Sequence, residues 1–245
     1  MSIPHTKNKM SKTKIVSLVG GGGKTSTICY LSKKYTSLGK KVIITTTTHI
    51  LKPEFFIQDY ELDYLKIHDF SKEPLVIGND CGKKLRSIDR QKIEILKNYA
   101  DIIFFESDGS KALPIKIPEK HEPVIPKETD TLIVCMGIDA VGRQIKDVLF
   151  RYEKAERMYG FDSSHILTAL DAAAILTDKN AGLKYFTDNM NLYFLINKAD
   201  DKPLMNKAKE VKKIIEDICA KKNINANIVI TSYIKNLYPD NIEII

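Results

Sequence analysis

The feature that most constrains the fold is a short apolar segment that runs directly into four consecutive glycines. The apolar segment spans 14–19, the glycines follow it, and a helical pattern at 24–38 opens with Lys24 and Thr25. Glycine adopts backbone conformations that other residues resist, so successive glycines let main-chain amides turn around an anion. The N-terminal end of the following helix directs partial positive charge at the same place. This order predicts a strand–loop–helix unit with a phosphate site in its loop.

The residues after the glycines have the side chains that a triphosphate and Mg²⁺ require. Lys24 is expected to reach the terminal phosphates, and the Thr25 hydroxyl is expected to bind Mg²⁺. The spacing is GxxGKT, as in Mur-ligase-type P-loops, because Leu18 stands where the longer GxxxxGK[ST] pattern needs glycine. A dinucleotide site fits less well, since Thr25 takes the last glycine position of GxGxxG. A turn that merely packs a helix on a strand leaves Lys24 and Thr25 unexplained. The predicted nucleotide-binding residues of this loop are Gly20, Gly21, Gly22, Gly23, Lys24, Thr25 and Ser26.

Short apolar segments alternate with helical patterns along the rest of the chain, which indicates an α/β fold. Further strands are predicted at 41–46, 101–106, 131–136, 191–196 and 227–231, and helices at 87–99, 163–176 and 203–222. We expect a mostly parallel sheet flanked by helices, in a three-layer sandwich like that of P-loop NTPases. One domain should cover 1–245, with 1–12 flexible and with insertions or loops at the site formed by 51–90 and 110–130. Four prolines within 114–126 predict a stiff, extended loop.

Polar side chains follow two of the predicted strands, at the sheet edge where ligands of parallel α/β folds bind. The strand at 101–106 ends in Glu106, and Asp108 lies two residues further on, so both carboxylates should face the same side. We predict that they bind Mg²⁺ or position the attacking nucleophile, and that with Lys24 they are the catalytic residues. Thr46, at the end of the second strand, is a further candidate metal ligand beside Thr25. The alternatives are an ordinary Asp-Gly turn and the preference of threonine for strands.

An NKxD sequence follows the strand at 191–196. Asp200 can accept hydrogen bonds from the N1–H and exocyclic amine of guanine, which adenine lacks. Asn197 can bond the base or the phosphate loop, and the stem of Lys198 can cover the ring. The alternative is a chance polar turn before the next helix, so both ATP and GTP remain candidate ligands together with Mg²⁺.

The composition fits a cytoplasmic protein. The net charge is +7 and the sequence pI is about 9.0, which indicates either an anionic partner or lysines spread over solvated faces. No long basic block is present, so specific nucleic-acid binding is not expected. The four cysteines are far apart and should be reduced thiols, with Cys29 and Cys135 in the core. The first residues lack the apolar stretch of a secretory signal, and no apolar run is long enough to span a bilayer, so no membrane partner is expected.

Several of these segments together resemble the YqeC family. They are the phosphate loop, residues 45–49, 106–109, the proline loop through 121–126, Gly137 to Asp139 with Gly142, and 197–200. Members are described as accessory proteins for selenium-dependent molybdenum hydroxylases. The resemblance implies a P-loop fold, a role in maturing such an enzyme, and that hydroxylase or a cofactor precursor as partner. A His-Arg-Pro-Glu-like element expected near 150–153 is matched only at Arg151 and Glu153.

The stiff loop at 114–126 follows the acidic strand end directly. It is a candidate substrate loop that would carry Lys116, His121 and Glu122 toward the γ-phosphate, while Lys111 and Arg143 add positive charge for a second anionic ligand. The alternative is a stiff connector with solvated charges. Three functions stay open: Mg²⁺-dependent cleavage of ATP or GTP with hydrolysis or transfer, a non-catalytic maturation chaperone gated by nucleotide, and a Mur-like ATP-dependent ligase.

Overall fold

The computed structural model describes residues 12–245. The predicted flexible segment 1–12 therefore lies outside the described residues, except for Lys12. The longer strands are β1 (Lys14–Gly20), β2 (Val42–Thr46), β7 (Ile102–Glu106), β9 (Thr131–Gly137), β11 (Asn191–Asn197) and β12 (Asn227–Ile230). The short strands are β3 (His49–Leu51), β4 (Leu75–Val76), β5 (Asn79–Asp80), β6 (Lys84–Arg86), β8 (Ile115–Lys116) and β10 (Leu149–Phe150). The helices are α1 (Lys24–Ser37), α2 (Arg90–Lys97), α3 (Ile145–Val148), α4 (Glu153–Tyr159), α5 (Ala169–Leu176) and α6 (Lys202–Lys221), with 3₁₀ turns at Leu62–Lys66 and Ile138–Ala140.

Seven strands form one parallel sheet in the order β12-β11-β9-β1-β7-β2-β4. β1 lies at the centre, between β7 and β9. The register pairs Leu18 with Glu106 and Gly20 with Cys135. The end of β7 therefore lies beside the strand that leads into the glycine loop, which is the neighbourhood that the sequence pattern predicts.

Helices cover both faces of this sheet. On one face, Ile28 and Leu31 of α1 pack against Val16 and Leu18 of β1. On the other face, α5 and α6 pack against alternate residues of β9 and β11, and α2 packs against β7. Successive residues of a strand point to opposite faces, so buried strands with apolar side chains on both faces need a layer on each side. The predicted α/β three-layer sandwich is confirmed.

The main predicted elements form within a few residues of their expected bounds, with three differences. The helix predicted at 163–176 begins only at Ala169, because Thr168 caps it and accepts a hydrogen bond from the Asp171 amide. The proline loop is not wholly irregular, since β8 within it pairs with β10 in parallel. The short helices α3 and α4 were not predicted.

The prediction that Cys29 belongs to the core is wrong. Cys29 is exposed, because its neighbours Ile28 and Leu31 occupy the face of α1 that meets the sheet. Cys135 is 1% exposed, as predicted. No helix in the described part of the chain has both the length and the apolar character that crossing a bilayer requires.

Candidate functional site

The carboxyl ends of the central strands open into a cavity of about 810 Å³. One part of its wall is the glycine loop and the first turn of α1, which supply Gly22, Gly23, Lys24, Thr25 and Ser26. The rest of the wall comes from the segment after β2, from β6, from the loop after β7, and from the ends of β10 and β11. Its lining residues include Thr48, Lys84, Glu106, Lys111, Glu122, Phe150, Arg151 and Lys198. Most of the predicted phosphate-site residues therefore face one cavity of the size that small ligands occupy.

The glycine loop can be built only from glycine at its tightest points. Gly22 has φ of 70°, and a Cβ there would lie 2.1 Å from the backbone nitrogen of Gly137. Gly23 has φ of 139°, and a Cβ there would lie 2.2 Å from Asn197 Nδ2. Gly20 and Gly21 approach the backbone of Cys135 and Leu113 as closely. Bare main chain is thus required on the side of the loop that packs against β9, β11 and the loop before β8.

Lys24 lies at the start of α1 and is only 4% exposed. Its Nζ donates a 2.6 Å hydrogen bond to the Gly20 carbonyl, and it lies 3.2 Å from Asp108 Oδ1 and 4.0 Å from Glu106 Oε1. Burial by itself would lower the pKa of Lys24, but the charges of Asp108 and Glu106 outweigh burial and raise it. The ammonium is therefore held charged at the floor of the cavity.

Glu106 and Thr25 meet at the same wall. The Thr25 hydroxyl donates to Glu106 Oε2 at 2.8 Å. Burial raises the pKa of Glu106, and the lowering effects of Lys24 and Thr25 do not fully offset it. Thr46 is buried beside them, but its hydroxyl donates to the Glu106 carbonyl and accepts from the Thr48 amide. As placed here, Thr46 supports the strand end, while Thr25 and Glu106 face the cavity.

Asp108 is 2% exposed and lies behind the loop. Its Oδ2 accepts from the Gly20 amide at 3.1 Å and lies 3.2 Å from Lys116 Nζ. Its Oδ1 has the Lys24 ammonium 3.2 Å away but makes no well-aligned hydrogen bond within residues 12–245. Asp108 thus fixes the base of the glycine loop and the position of Lys24, and it does not itself line the cavity.

The NKxD segment splits into two parts. Asn197 is buried, donates to the Gly22 carbonyl at 2.8 Å and accepts from the Thr231 hydroxyl at 3.0 Å. Asp200 accepts from the Ser232 hydroxyl at 2.5 Å, and Lys198 pairs with Asp139 at 2.8 Å. Asn197 therefore supports the phosphate loop, and of these residues only Lys198 belongs to the cavity wall within the described chain.

The proline loop contributes a series of linked ion pairs, in which Lys116 is buried and Glu122 and Arg151 are partly buried. Lys116 donates to Glu122 Oε2 at 2.6 Å, and Arg151 donates to both carboxylate oxygens of Glu122, at 2.6 and 3.0 Å. Since Lys116 also contacts Asp108, the pairs link Arg151 to the base of the glycine loop. Burial would raise the pKa of Glu122, but the hydrogen bonds and charges of Arg151 and Lys116 lower it to about 2.

The structure separates the other residues proposed for this loop. His121 and Arg143 are exposed and do not line the cavity, whereas Lys111 does. Lys84 and Arg151 line it but were not predicted as site residues. For Arg151 a signal existed, because it is one of the two matching positions of the His-Arg-Pro-Glu-like element. For Lys84 no sequence motif marked the position.

Backbone strain is concentrated at the same cavity. Non-glycine residues with positive φ include Lys111 at 49°, Ala112 at 63°, Arg151 at 67° and Lys198 at 65°, and all four line the cavity. Such conformations are unfavourable for side chains with a Cβ, and they are typical of functional sites where the surrounding structure enforces them.

Comparison with known proteins agrees with the resemblance noted in the sequence. The profile of the YqeC protein family matches residues 16–153, which include the glycine loop, Glu106, Asp108, the proline loop and Arg151. A protein described as uncharacterized protein YqeC, from Escherichia coli strain K12, is 27% identical over 196 residues, which cover 75% of each chain. The chain therefore belongs to the YqeC family.

Proposed function

We propose that this protein binds a purine nucleoside triphosphate together with Mg²⁺ and cleaves or transfers its terminal phosphoryl group. The observation that supports this most is the glycine loop, whose geometry admits no Cβ at Gly22 or Gly23 and which presents Lys24 and Thr25 to a cavity of about 810 Å³. A loop that served packing alone would need neither a buried ammonium nor an adjoining cavity.

The residues present fit a triphosphate and a hard divalent cation. An ammonium has three N–H donors. For Lys24, the Gly20 carbonyl accepts one and Asp108 Oδ1 lies 3.2 Å away, so at least one donor remains for a phosphate oxygen. No three His, Cys, Asp or Glu side chains gather into a metal site within residues 12–245. Mg²⁺ is commonly held by one or two protein oxygens, phosphates and water, so Thr25 and Glu106 are a sufficient protein contribution.

Each residue then has a defined task. Lys24 neutralises negative charge on the terminal phosphates, and Asp108 keeps that ammonium in place. Thr25 offers its hydroxyl oxygen to the metal ion, and Glu106 accepts a hydrogen bond from that hydroxyl and orders the water or acceptor group near it. Bound Mg²⁺ would supply further charge neutralisation at the phosphates. Asn197 stabilises the conformation of the glycine loop by donating a hydrogen bond to the Gly22 carbonyl.

The resemblance to described YqeC members adds the biological setting. We propose that the reaction serves the maturation of a selenium-dependent molybdenum hydroxylase or of its cofactor. Phosphate release by the protein alone would support hydrolysis, release only with an added acceptor would support transfer or ligation, and tight binding without release would support a nucleotide-gated chaperone.

The Lys24→Ala variant tests the phosphate site. Truncating one member of a buried charge contact costs about 2–5 kcal/mol, so we expect affinity for the magnesium nucleotide to fall about 30-fold or more in titration calorimetry. Lys33→Ala, at an exposed position on the same helix, is the matched control and should bind like the wild type. Because Lys24 also pairs with Asp108, thermal unfolding is used to verify that the variant folds. Thr25→Val provides a second test, since we expect it to abolish the Mg²⁺ dependence of nucleotide binding. Unchanged affinity in both variants would exclude this loop as the nucleotide site.

The Asp200→Asn variant tests which base is bound. We expect it to weaken GTP binding more than ATP binding, because a carboxylate recognises the N1–H and amine of guanine. Competition between the two nucleotides on wild type and variant measures this directly. A wild type that prefers ATP would refute guanine recognition without any variant.

A further inference from the structure

Among the residues that the structure describes, 12–245, two lysines of the cavity wall have no acidic partner. Around the cavity, Lys24 pairs with Asp108, Lys116 and Arg151 pair with Glu122, and Lys198 pairs with Asp139. Lys84 and Lys111 line the same cavity, and within residues 12–245 neither has a carboxylate within 4 Å. The two positive charges that remain uncompensated at the cavity therefore lie outside the glycine loop.

Lys111 belongs to a cluster of cations around one aromatic ring. Its Nζ lies 5.5 Å from the centroid of the Phe150 ring, and the guanidinium carbon of Arg151 lies 4.4 Å from the same centroid. Arg151 donates from NH1 and NH2 to Glu122 and from NH1 to the Ile117 carbonyl, and its Nε lies 3.5 Å from Glu119 Oε1. A guanidinium carries five N–H donors, so one N–H of NH2 remains for a ligand. The cluster therefore offers one N–H of a fixed guanidinium and an adaptable ammonium, both of which are donors that phosphate oxygens accept.

The backbone that presents this cluster is both strained and anchored. Lys111, Ala112 and Arg151 have positive φ. The loop is tied down by Lys116, which donates to the Gly109 carbonyl at 2.7 Å, and Arg151 is fixed by its two bonds to Glu122. The surrounding structure thus holds the Lys111 backbone and the Arg151 side chain in place before any ligand arrives, which reduces the cost of ordering them on binding.

Lys84 comes from a different part of the chain. It begins β6, which pairs with β3 and β5 in a three-stranded antiparallel sheet beside the cavity. The cavity is therefore bordered by two segments, 51–90 and 110–130, and each contributes one lysine that has no carboxylate partner within residues 12–245. Its volume of about 810 Å³ lies toward the upper end of the roughly 300–1,000 Å³ found for small-ligand pockets.

We propose that Lys84, Lys111 and Arg151 form a second anion subsite, which binds a phosphate-bearing substrate beside the nucleotide. The inference relies on the proposed function only for the identity of the first ligand, since the second subsite is defined by its own residues. It assigns the protein a two-substrate cavity, with the nucleotide at the glycine loop and the second substrate between the two inserted segments.

The test uses radiolabelled orthophosphate as probe in equilibrium dialysis. Binding is measured on the full-length wild type alone, on the wild type saturated with a non-hydrolysable magnesium nucleotide, and on Lys24→Ala. In the wild type alone, phosphate should occupy the glycine loop as well as the second subsite, and the nucleotide analogue should displace only the former. We expect one phosphate to remain bound at the second subsite in the saturated wild type and in Lys24→Ala. Lys84→Glu and Lys111→Glu should each weaken phosphate binding at the second subsite about tenfold or more and leave nucleotide affinity within about twofold. Lys179→Glu, at an exposed position away from the cavity, serves as control.

Three results would overturn the proposal. The first is that no phosphate binds under any condition. The second is that the nucleotide analogue displaces all phosphate and Lys24→Ala binds none, and the third is that Lys84→Glu and Lys111→Glu lose as much affinity for the nucleotide as for phosphate. The last two results would mean that phosphate binds only at the nucleotide site. If the protein binds no nucleotide, the proposed function fails but the second subsite is still tested. Phosphate binding to Lys24→Ala is measured without nucleotide and does not depend on nucleotide binding. Both lysines are exposed and unpaired, so charge reversal should leave the fold intact, which thermal unfolding checks.

Discussion

At the scale of single residues, the site consists of charges of alternating sign, the first three of them buried and the last two partly buried. Lys24, Asp108, Lys116, Glu122 and Arg151 follow one another through contacts of 2.6 to 3.2 Å. Each charge inside this chain has an opposite charge on either side, which offsets the high cost of removing it from water. Such a chain fixes Lys24 and Arg151 relative to each other, so the two ends of the cavity wall are positioned together.

Glu122 gives this chain a measurable pH dependence. Arg151 and Lys116 lower its pKa from 4.5 to about 2, so its carboxylate stabilises the fold fully above pH 4.5 and loses that effect as the pH falls toward 2. We expect the difference in unfolding free energy between the wild type and Glu122→Gln to be largest near neutrality and to shrink through this acidic range. Urea unfolding at a series of pH values measures it, with Glu128→Gln at an exposed position as control. A difference that stays constant with pH would contradict this role of the ion pairs.

At the scale of elements, three segments pack against the glycine loop. The Gly137 amide at the end of β9 donates to the Pro114 carbonyl at 2.8 Å, and both Gly21 and Gly22 pack against these segments. The strand–loop–helix unit is therefore not an isolated motif. Its shape depends on β9, on the segment before β8 and, through Asn197, on the end of β11.

Two glycines with similar backbone angles separate conformational strain from close packing. Gly22 has φ of 70° and Gly39 has φ of 77°, but a Cβ at Gly39 would meet nothing within 4 Å. Gly39→Ala should cost about 1 kcal/mol of unfolding free energy, from backbone strain alone. Gly22→Ala should cost at least about 1–3 kcal/mol more, because its Cβ overlaps the β9 backbone, and it should also weaken nucleotide binding. Equal losses of stability in denaturant unfolding would show that the loop is less tightly enclosed than these contacts indicate.

At the scale of the whole molecule, the sequence predicts the central sheet well and the cavity walls poorly. β1, β7 and β11 are continuous apolar segments, and burial on both faces leaves little alternative to a parallel sheet with helices on each side. Lys84 and the β8–β10 pairing could not be predicted, because two- and three-residue strands carry no periodic signal and their positions depend on long-range contacts. The placement of His121 outside the cavity has the same origin, since the direction of a loop side chain is set by tertiary packing.

The central claim is that the main-chain amides of the glycine loop bind the phosphates of a nucleotide. Backbone amide chemical shifts, recorded while a non-hydrolysable nucleotide and Mg²⁺ are titrated into isotope-labelled protein, test this at the atoms concerned. We expect the largest changes at the amides of residues 20–26, saturating at one nucleotide per chain, and in Lys24→Ala we expect them only at about 30-fold higher nucleotide concentration or above. Saturable binding that leaves those amides unshifted, or no binding of either ATP or GTP, would contradict the claim.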